Sequence, residues 1–179
     1  MDSQLVIERT RRWIADVVIG LNLCPFARRV FEGRLIHYVV TDVADAESLR
    51  EVLTQELRSL ANTPPEQVET AFVIHPRALA DFRDYNDFVV ETEDLIAELH
   101  LEGVIQIASF HPQYQFAGTR ANDVENYTNR SPYPMLHLLR EDSISKVNDD
   151  PEKLADIPQR NIETLRRLGL KRVREMLGE

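Results

Sequence analysis

The side chains best suited to chemistry in this chain are its single cysteine, a few histidines and a few arginines, and they gather in two places. Cys24 stands in Gly20-Leu21-Asn22-Leu23-Cys24-Pro25-Phe26-Ala27, followed by Arg28-Arg29. Pro25 suits the first position of a short helix, which would put Cys24 at its N-cap. A thiol at a helix start beside arginines has the electropositive setting that lowers its pKa and exposes a nucleophilic thiolate. Arg28 lies about one helical turn further on. The second place is the long stretch from Val104 to Arg140. There an apolar run ends at His111-Pro112 and is followed by three of the five tyrosines. A histidine brought to a cysteine can serve as its base. Cys24, His111 and His75 are therefore the expected catalytic groups.

Within the long stretch, Gly118-Thr119-Arg120 and Asn129-Arg130-Ser131-Pro132 form two small polar clusters, each with an arginine. Arg120 and Arg130 could grip a carboxylate or phosphate in a forked fashion. Ser131-Pro132 reads as the start of a helix running to Leu139, whose free N–H groups would favour an anion. Asn122, Asn126 and Asn129 present both donors and acceptors. Tyr133, with Tyr114, Phe116 and Tyr127, could stack on a planar ligand. His137, one turn into that helix, would point into the same region. An alternative use of the histidines is a metal site. His75 and His111, with Asp42 or His137, are ligand types of zinc or non-haem iron, though no pair has the spacing of a tight metal motif.

These residues need a frame, and hydrophobic period supplies one. Ser3 to Leu21 carries a helical apolar stripe. Arg34 to Thr41, Glu69 to His75 and Val104 to Phe110 are short, β-prone runs. Between them, Glu47 to Leu60 and Leu79 to Leu101 read as helices, the second with a break near Asn86, and Asn62-Thr63-Pro64-Pro65 is a clear stop. Alternating strands and helices imply right-handed parallel crossovers. The expected fold is α/β: a three- or four-stranded, mainly parallel sheet with flanking helices. All 179 residues would form a single domain, with 142–179 a helical extension packed on it. Asp149-Asp150-Pro151 breaks the chain before a C-terminal helix or helix pair split at Gly169. Parallel strands would end on one rim at Thr41-Asp42, His75-Pro76 and His111-Pro112, where ligands of open α/β sheets collect. The segment Gln113 to Pro134 would roof that rim. It is too apolar and too nearly neutral for disorder, and unstructured runs of this length in compact domains are usually functional.

Composition narrows the function classes. A net charge of −9 speaks against nucleic acid, whose partners carry basic surfaces. One cysteine forbids an intrachain disulfide. No stretch reads as a signal peptide or as a bilayer-spanning run, so a cytoplasmic, non-membrane protein is expected.

Three blocks, Gly20 to Ala27, Phe110 to Thr119 and Asn129 to Glu141, together resemble an uncharacterised bacterial family, domain of unknown function 1415. The resemblance extends over nearly the whole chain. It implies that Cys24-Pro25-Phe26, His111-Pro112 and Asn129 to Pro134 are recurring motifs of that family. Met135 departs from it, since family members often carry Thr there. The resemblance implies no reaction, cofactor or partner.

The expectation is a small-molecule enzyme acting on an anionic metabolite. Its Cys/His/Arg site would lie under the 111–134 loop, with Cys24, His111 and His75 as catalytic groups. Arg28, Arg120, Asn122, Asn129, Arg130, Ser131, Tyr133 and His137 would bind the ligand. The alternatives are a metal-dependent enzyme using His75 and His111, and a non-catalytic ligand-binding or regulatory protein. Cofactor and oligomeric state stay open.

Overall fold

The computed structural model describes residues 2–143 and 156–178. In chain order, α1 (Ser3–Trp13) runs into a π-helical turn (Ile14–Ile19), then α2 (Ala27–Glu32) and β1 (Ile36–Val40). After them come α3 (Ala46–Asn62), β2 (Thr70–Ile74), α4 (Phe82–Glu98) and β3 (Ile105–Phe110). A 3₁₀ turn (Val124–Thr128) precedes β4 (Met135–Arg140), and α5 (Ile157–Leu168) and α6 (Leu170–Leu177) close the chain. The expected break at Asp149-Asp150-Pro151 lies outside the described residues.

Local chemistry sets the helix ends. Asp2, Asp45 and Asp81 each cap a helix by accepting a backbone N–H, from Gln4 at 3.0 Å, Ser48 at 2.8 Å and Arg83 at 2.8 Å. Leu49, Leu53, Leu57 and Leu60 form the buried stripe of α3. Helix α4 buries Tyr85, Phe88, Thr92 and Leu95. It is shorter than its sequence pattern suggests and runs unbroken through Asn86, and Gly169 separates α5 from α6.

The sheet is mixed rather than mainly parallel. Its order is β1-β2-β4-β3, with β1 parallel to β2, and β4 antiparallel to both β2 and β3. Strands β1, β2 and β3 do run the same way, as expected, but β4 is inserted between the latter two. This inserted strand is the stretch whose pattern suggests a helix from Ser131 to Leu139. Met, Leu and His carry no strong strand preference, and a place in the sheet's interior overrides local helix propensity. Leu136 and Leu138 are buried on one face and Met135 on the other. Pairing on both edges satisfies the strand's backbone.

Each face of the sheet has its own cover. Helices α3 and α4 pack on Ala71, Val73, Ile105, Leu136 and Leu138. The opposite face, with Phe72, Ile74 and Met135, is covered by α1, the π-helical turn, Tyr127 of the 3₁₀ turn and the C-terminal helices.

Candidate functional site

A sizeable opening lies on the second face, between the sheet, the π-helical turn and the Cys24 turn. It is a cavity of about 360 Å³, at the small end of the roughly 300–1,000 Å³ usual for ligand sites. Close-packed interiors rarely leave such room. Its floor comes from alternate residues of the strands: Ile36, Thr70, Phe72, Gln106, Ala108, Phe110, His137 and Leu139. Ile36 and Thr70 begin their strands and Phe110 ends β3, so the opening runs from the amino ends of β1 and β2 across the sheet to the carboxyl end of β3. Trp13, Ile14, Val18 and Leu23 form the apolar roof, and Cys24, Arg29, Glu69 and Arg140 add polar groups. No residue from 111 to 134 lines it.

The turn carrying Cys24 follows from the π-helical segment. The N–H groups of Gly20 and Leu23 reach back five residues, to Ala15 at 3.0 Å and Val18 at 2.8 Å. Such widened turns recur at functional sites. A side chain at position 20 would put its Cβ 2.2 Å from the Asp16 carbonyl oxygen, so glycine is required there. Cys24 is not the N-cap of α2; the helix begins at Ala27 with Phe26 as its cap residue. Burial pushes the Cys24 thiol above its ordinary value, while the Phe26 and Ala27 N–H groups beside the sulfur pull it down less strongly. The resting thiol is therefore protonated, and the expected thiolate is absent.

His137 lies in β4, not in a helix, and lines the same cavity as Cys24. The Thr70 hydroxyl donates its one proton to the Leu138 carbonyl. It must then accept from His137 Nε2, 2.7 Å away. That fixes the tautomer: Nε2 carries the proton and Nδ1 the lone pair. Nδ1 has no hydrogen-bond partner among the described residues. Burial lowers the imidazole pKa to about 3, so the ring is neutral.

Arg29 pairs with Glu69 at 2.8 Å. The Arg140 guanidinium donates to the Leu60, Thr63 and Val68 carbonyls. It forms no ion pair with a carboxylate among the described residues, and its Nε is buried without a partner. The carboxylates of Glu69 and Glu66 act on its charge, and in register with Ile105 its side chain leans to the α3 side, where those carbonyls lie. The indole N–H of Trp13, also in the wall, is likewise unpartnered.

The structure does not bring Cys24 together with His111 or His75. Those two histidines plug the carboxyl rim, each against the buried ring of Tyr85, with centroids 5.9 Å (His75) and 4.9 Å (His111) away. His75 Nδ1 donates to the Ala78 carbonyl at 3.0 Å, and its Nε2 is buried without a partner. Burial lowers His75 to about 4. His111 Nε2 donates to the Leu79 carbonyl at 3.2 Å, and its Nδ1 accepts the Gln113 N–H at 3.0 Å. Both ring nitrogens of His111 are engaged, which leaves no lone pair for a metal. No cluster of three metal-ligating side chains occurs among the described residues.

Most of the other expected ligand-binding residues hold the 111–134 segment together. Arg130 is buried, stacks its guanidinium on Tyr127 at 4.1 Å and donates to the Tyr114 and Ala121 carbonyls. Asn129 donates to the Ser109 carbonyl. Ser131 donates to the Tyr133 carbonyl and starts no helix, so no anion site of that kind forms there. Arg120 is exposed and uses its backbone, donating to Asp123 and accepting from Asn126. Asn122 accepts from Arg174 of α6, and the Tyr133 hydroxyl accepts from Arg9. Arg28 is exposed and pairs with Glu32 at 3.4 Å.

Thr70, Gln106, Ala108, Arg140 and Trp13 escape a reading by motif. One signal does stand in the sequence: Gln106 and Ala108 alternate with Ile105 and Ile107. A polar and a small residue on one side of an otherwise apolar strand mark a place where that face is not filled.

No helix among the described residues is long and apolar enough to cross a membrane. Neither the curated proteins nor the solved structures include a match to this chain. The family model described as "Protein of unknown function (DUF1415)" matches residues 5–175, and the chain belongs to that family.

Proposed function

We propose that the protein is an enzyme for a small acidic molecule, working in the cavity beneath α1 with Cys24 as nucleophile and His137 as its base. The observation that carries the reading is convergence. One cavity is lined by the only cysteine, a neutral histidine whose Nδ1 is unengaged among the described residues, and Arg29. His137 takes the part expected of His111, and Arg29 takes the part expected of Arg120 and Arg130. In the reaction, Cys24 Sγ bonds to an electrophilic carbonyl carbon of the substrate. The carbonyl π pair moves to oxygen and the thiol proton passes to Nδ1. Both groups are neutral at rest, so the transfer awaits a bound substrate, whose developing oxyanion faces the new imidazolium and whose carboxylate meets Arg29. Phe26 and Ala27 N–H groups beside the sulfur favour its ionised form.

Alkylation tests this directly. Iodoacetate should modify Cys24 faster, relative to neutral iodoacetamide, than it modifies a free cysteine. Arg29→Met should erase the preference. A wild-type ratio equal to that of free cysteine removes the acid-binding site and with it this reading.

A second reading, a non-catalytic binder, draws on the same neutrality. The thiol is raised and the imidazole lowered by burial, so the resting site holds hydrogen-bonding groups and no ionised nucleophile.

A further inference from the structure

On the cavity side, four residues lie in register across the sheet: Tyr38, Phe72, His137 and Ala108. The first three are planar rings stacked in succession. Tyr38 and Phe72 are 6.0 Å apart with planes 12° from parallel, and Phe72 and His137 are 3.9 Å apart at 10°. The row then stops. Ala108 supplies only a methyl group where a fourth ring would continue it, and both Ala108 and His137 line the cavity. One face of the imidazole is covered by Phe72, and on the side toward Ala108 lies the cavity that both residues line. Phe110, next along β3, meets His137 only at 6.3 Å and 46°, so it does not complete the stack. Trp13 stands edge-on to Phe110 at 5.3 Å and 70°, closing the space from above.

The geometry points to a planar, ring-bearing acid as the ligand, its ring lying over Ala108 and stacking on His137. The inference rests on the cavity being the ligand site, as proposed above, and adds the class of molecule. A ring enters this slot with its plane already set by the row, and offset stacking adds to simple area burial. An aliphatic chain of the same acidity gains the burial alone.

Trp13 is the only tryptophan and lines the cavity, so its fluorescence reports binding. The probes are 2-naphthoate and decanoate, titrated calorimetrically with fluorescence as a second readout. Naphthoate should bind about tenfold tighter than decanoate. His137→Leu, which keeps bulk and loses the plane, should bring the two acids level. Ala108→Phe, which completes the row with the protein's own ring, should abolish naphthoate binding. Decanoate binding as tightly as naphthoate, a preference that survives His137→Leu, or no binding of either acid overturns the planar-ligand assignment. Should His137→Leu fail to fold, Ala108→Phe decides alone: naphthoate affinity unchanged in that variant overturns it. The alkylation ratio is independent of these outcomes. An iodoacetate preference without ring selectivity leaves the enzyme reading standing and removes only the ring. Ring selectivity without that preference does the reverse.

Discussion

The imidazole of His137 lies flat on Phe72, centroids 3.9 Å apart and planes within 10°, while its Nε2 is held by Thr70 at 2.7 Å. With the cavity empty, a proton added to that ring would sit out of water, with no carboxylate among the described residues acting on it.

Acid should therefore unfold the protein early. His75, fully buried, is lowered from 6.5 to about 4, and His137 from 6.5 to about 3. The unfolded chain takes up these protons below pH 6.5, and the folded chain does not until near the lowered values. In that window the unfolded state binds more protons, so stability falls as pH falls. His75 alone accounts for a loss on the order of 3 kcal/mol between pH 6.5 and 4. Urea titrations across this range should show the decline, and His75→Gln should make it shallower. An unchanged slope in that variant would remove His75 as its source.

Tyr85 clips the ends of β3 and β4 from the other side of the sheet. Its hydroxyl accepts the Phe110 N–H at 2.9 Å and donates to the Met135 carbonyl at 2.8 Å, and those two residues face each other in register. Tyr85→Phe leaves both buried groups unpaired, at a cost of about 1–3 kcal/mol each. A lowered denaturation midpoint with an unchanged m-value is the expected record.

Asn126, fully buried, organises the segment that leaves the carboxyl rim. Its Oδ1 accepts from the Phe116 N–H at 3.0 Å and the Thr119 hydroxyl at 2.8 Å, and its Nδ2 donates to the Arg120 carbonyl at 2.7 Å. Asn126→Ala should open residues 113–123 to proteolysis. Affinity for cavity probes should hold, because none of these residues lines the cavity. Loss of probe binding in a folded Asn126→Ala protein would return the segment to the site.

Gly20→Ala tests the π-helical turn. With Asp16 carbonyl oxygen 2.2 Å from the added carbon, the turn must shift and move Cys24 with it. Overpacking of this kind costs about 1–3 kcal/mol, and alkylation of Cys24 should accelerate as its burial loosens. A variant as stable as wild type would show that the backbone there yields freely.

Much of the frame could be read from period and punctuation: α3 and α4, the three co-directional strands, and the helix pair divided at Gly169. The site was harder, for physical reasons. Met135-Leu136-His137-Leu138-Leu139 has no strand-specific chemistry; only pairing on both edges makes it β. With β4 misread, His137 moves from the floor of the cavity to an imagined helix, and the arginines of the long segment look free when Arg130 is in fact a buried staple. His75 and His111 do end their strands on a common rim, but neighbouring carbonyls and the Tyr85 ring occupy it. The setting read for Cys24, a helix N-cap with a lowered pKa, does not hold; it shares its cavity with residues 70, 106, 108 and 137, which only the sheet brings side by side.

The insertion of β4 also orders events in time. Among the described residues β3 pairs with no strand but β4, which leaves a synthesising ribosome some 30 residues after it. Until then β1 and β2 can pair, while β3 waits with both edges bare, the kind of exposed edge that invites association between chains. When β4 arrives it joins the two halves, and it carries His137 with it. Completion of the sheet and creation of the cavity floor are then one event, so a chain halted before residue 135 would have neither.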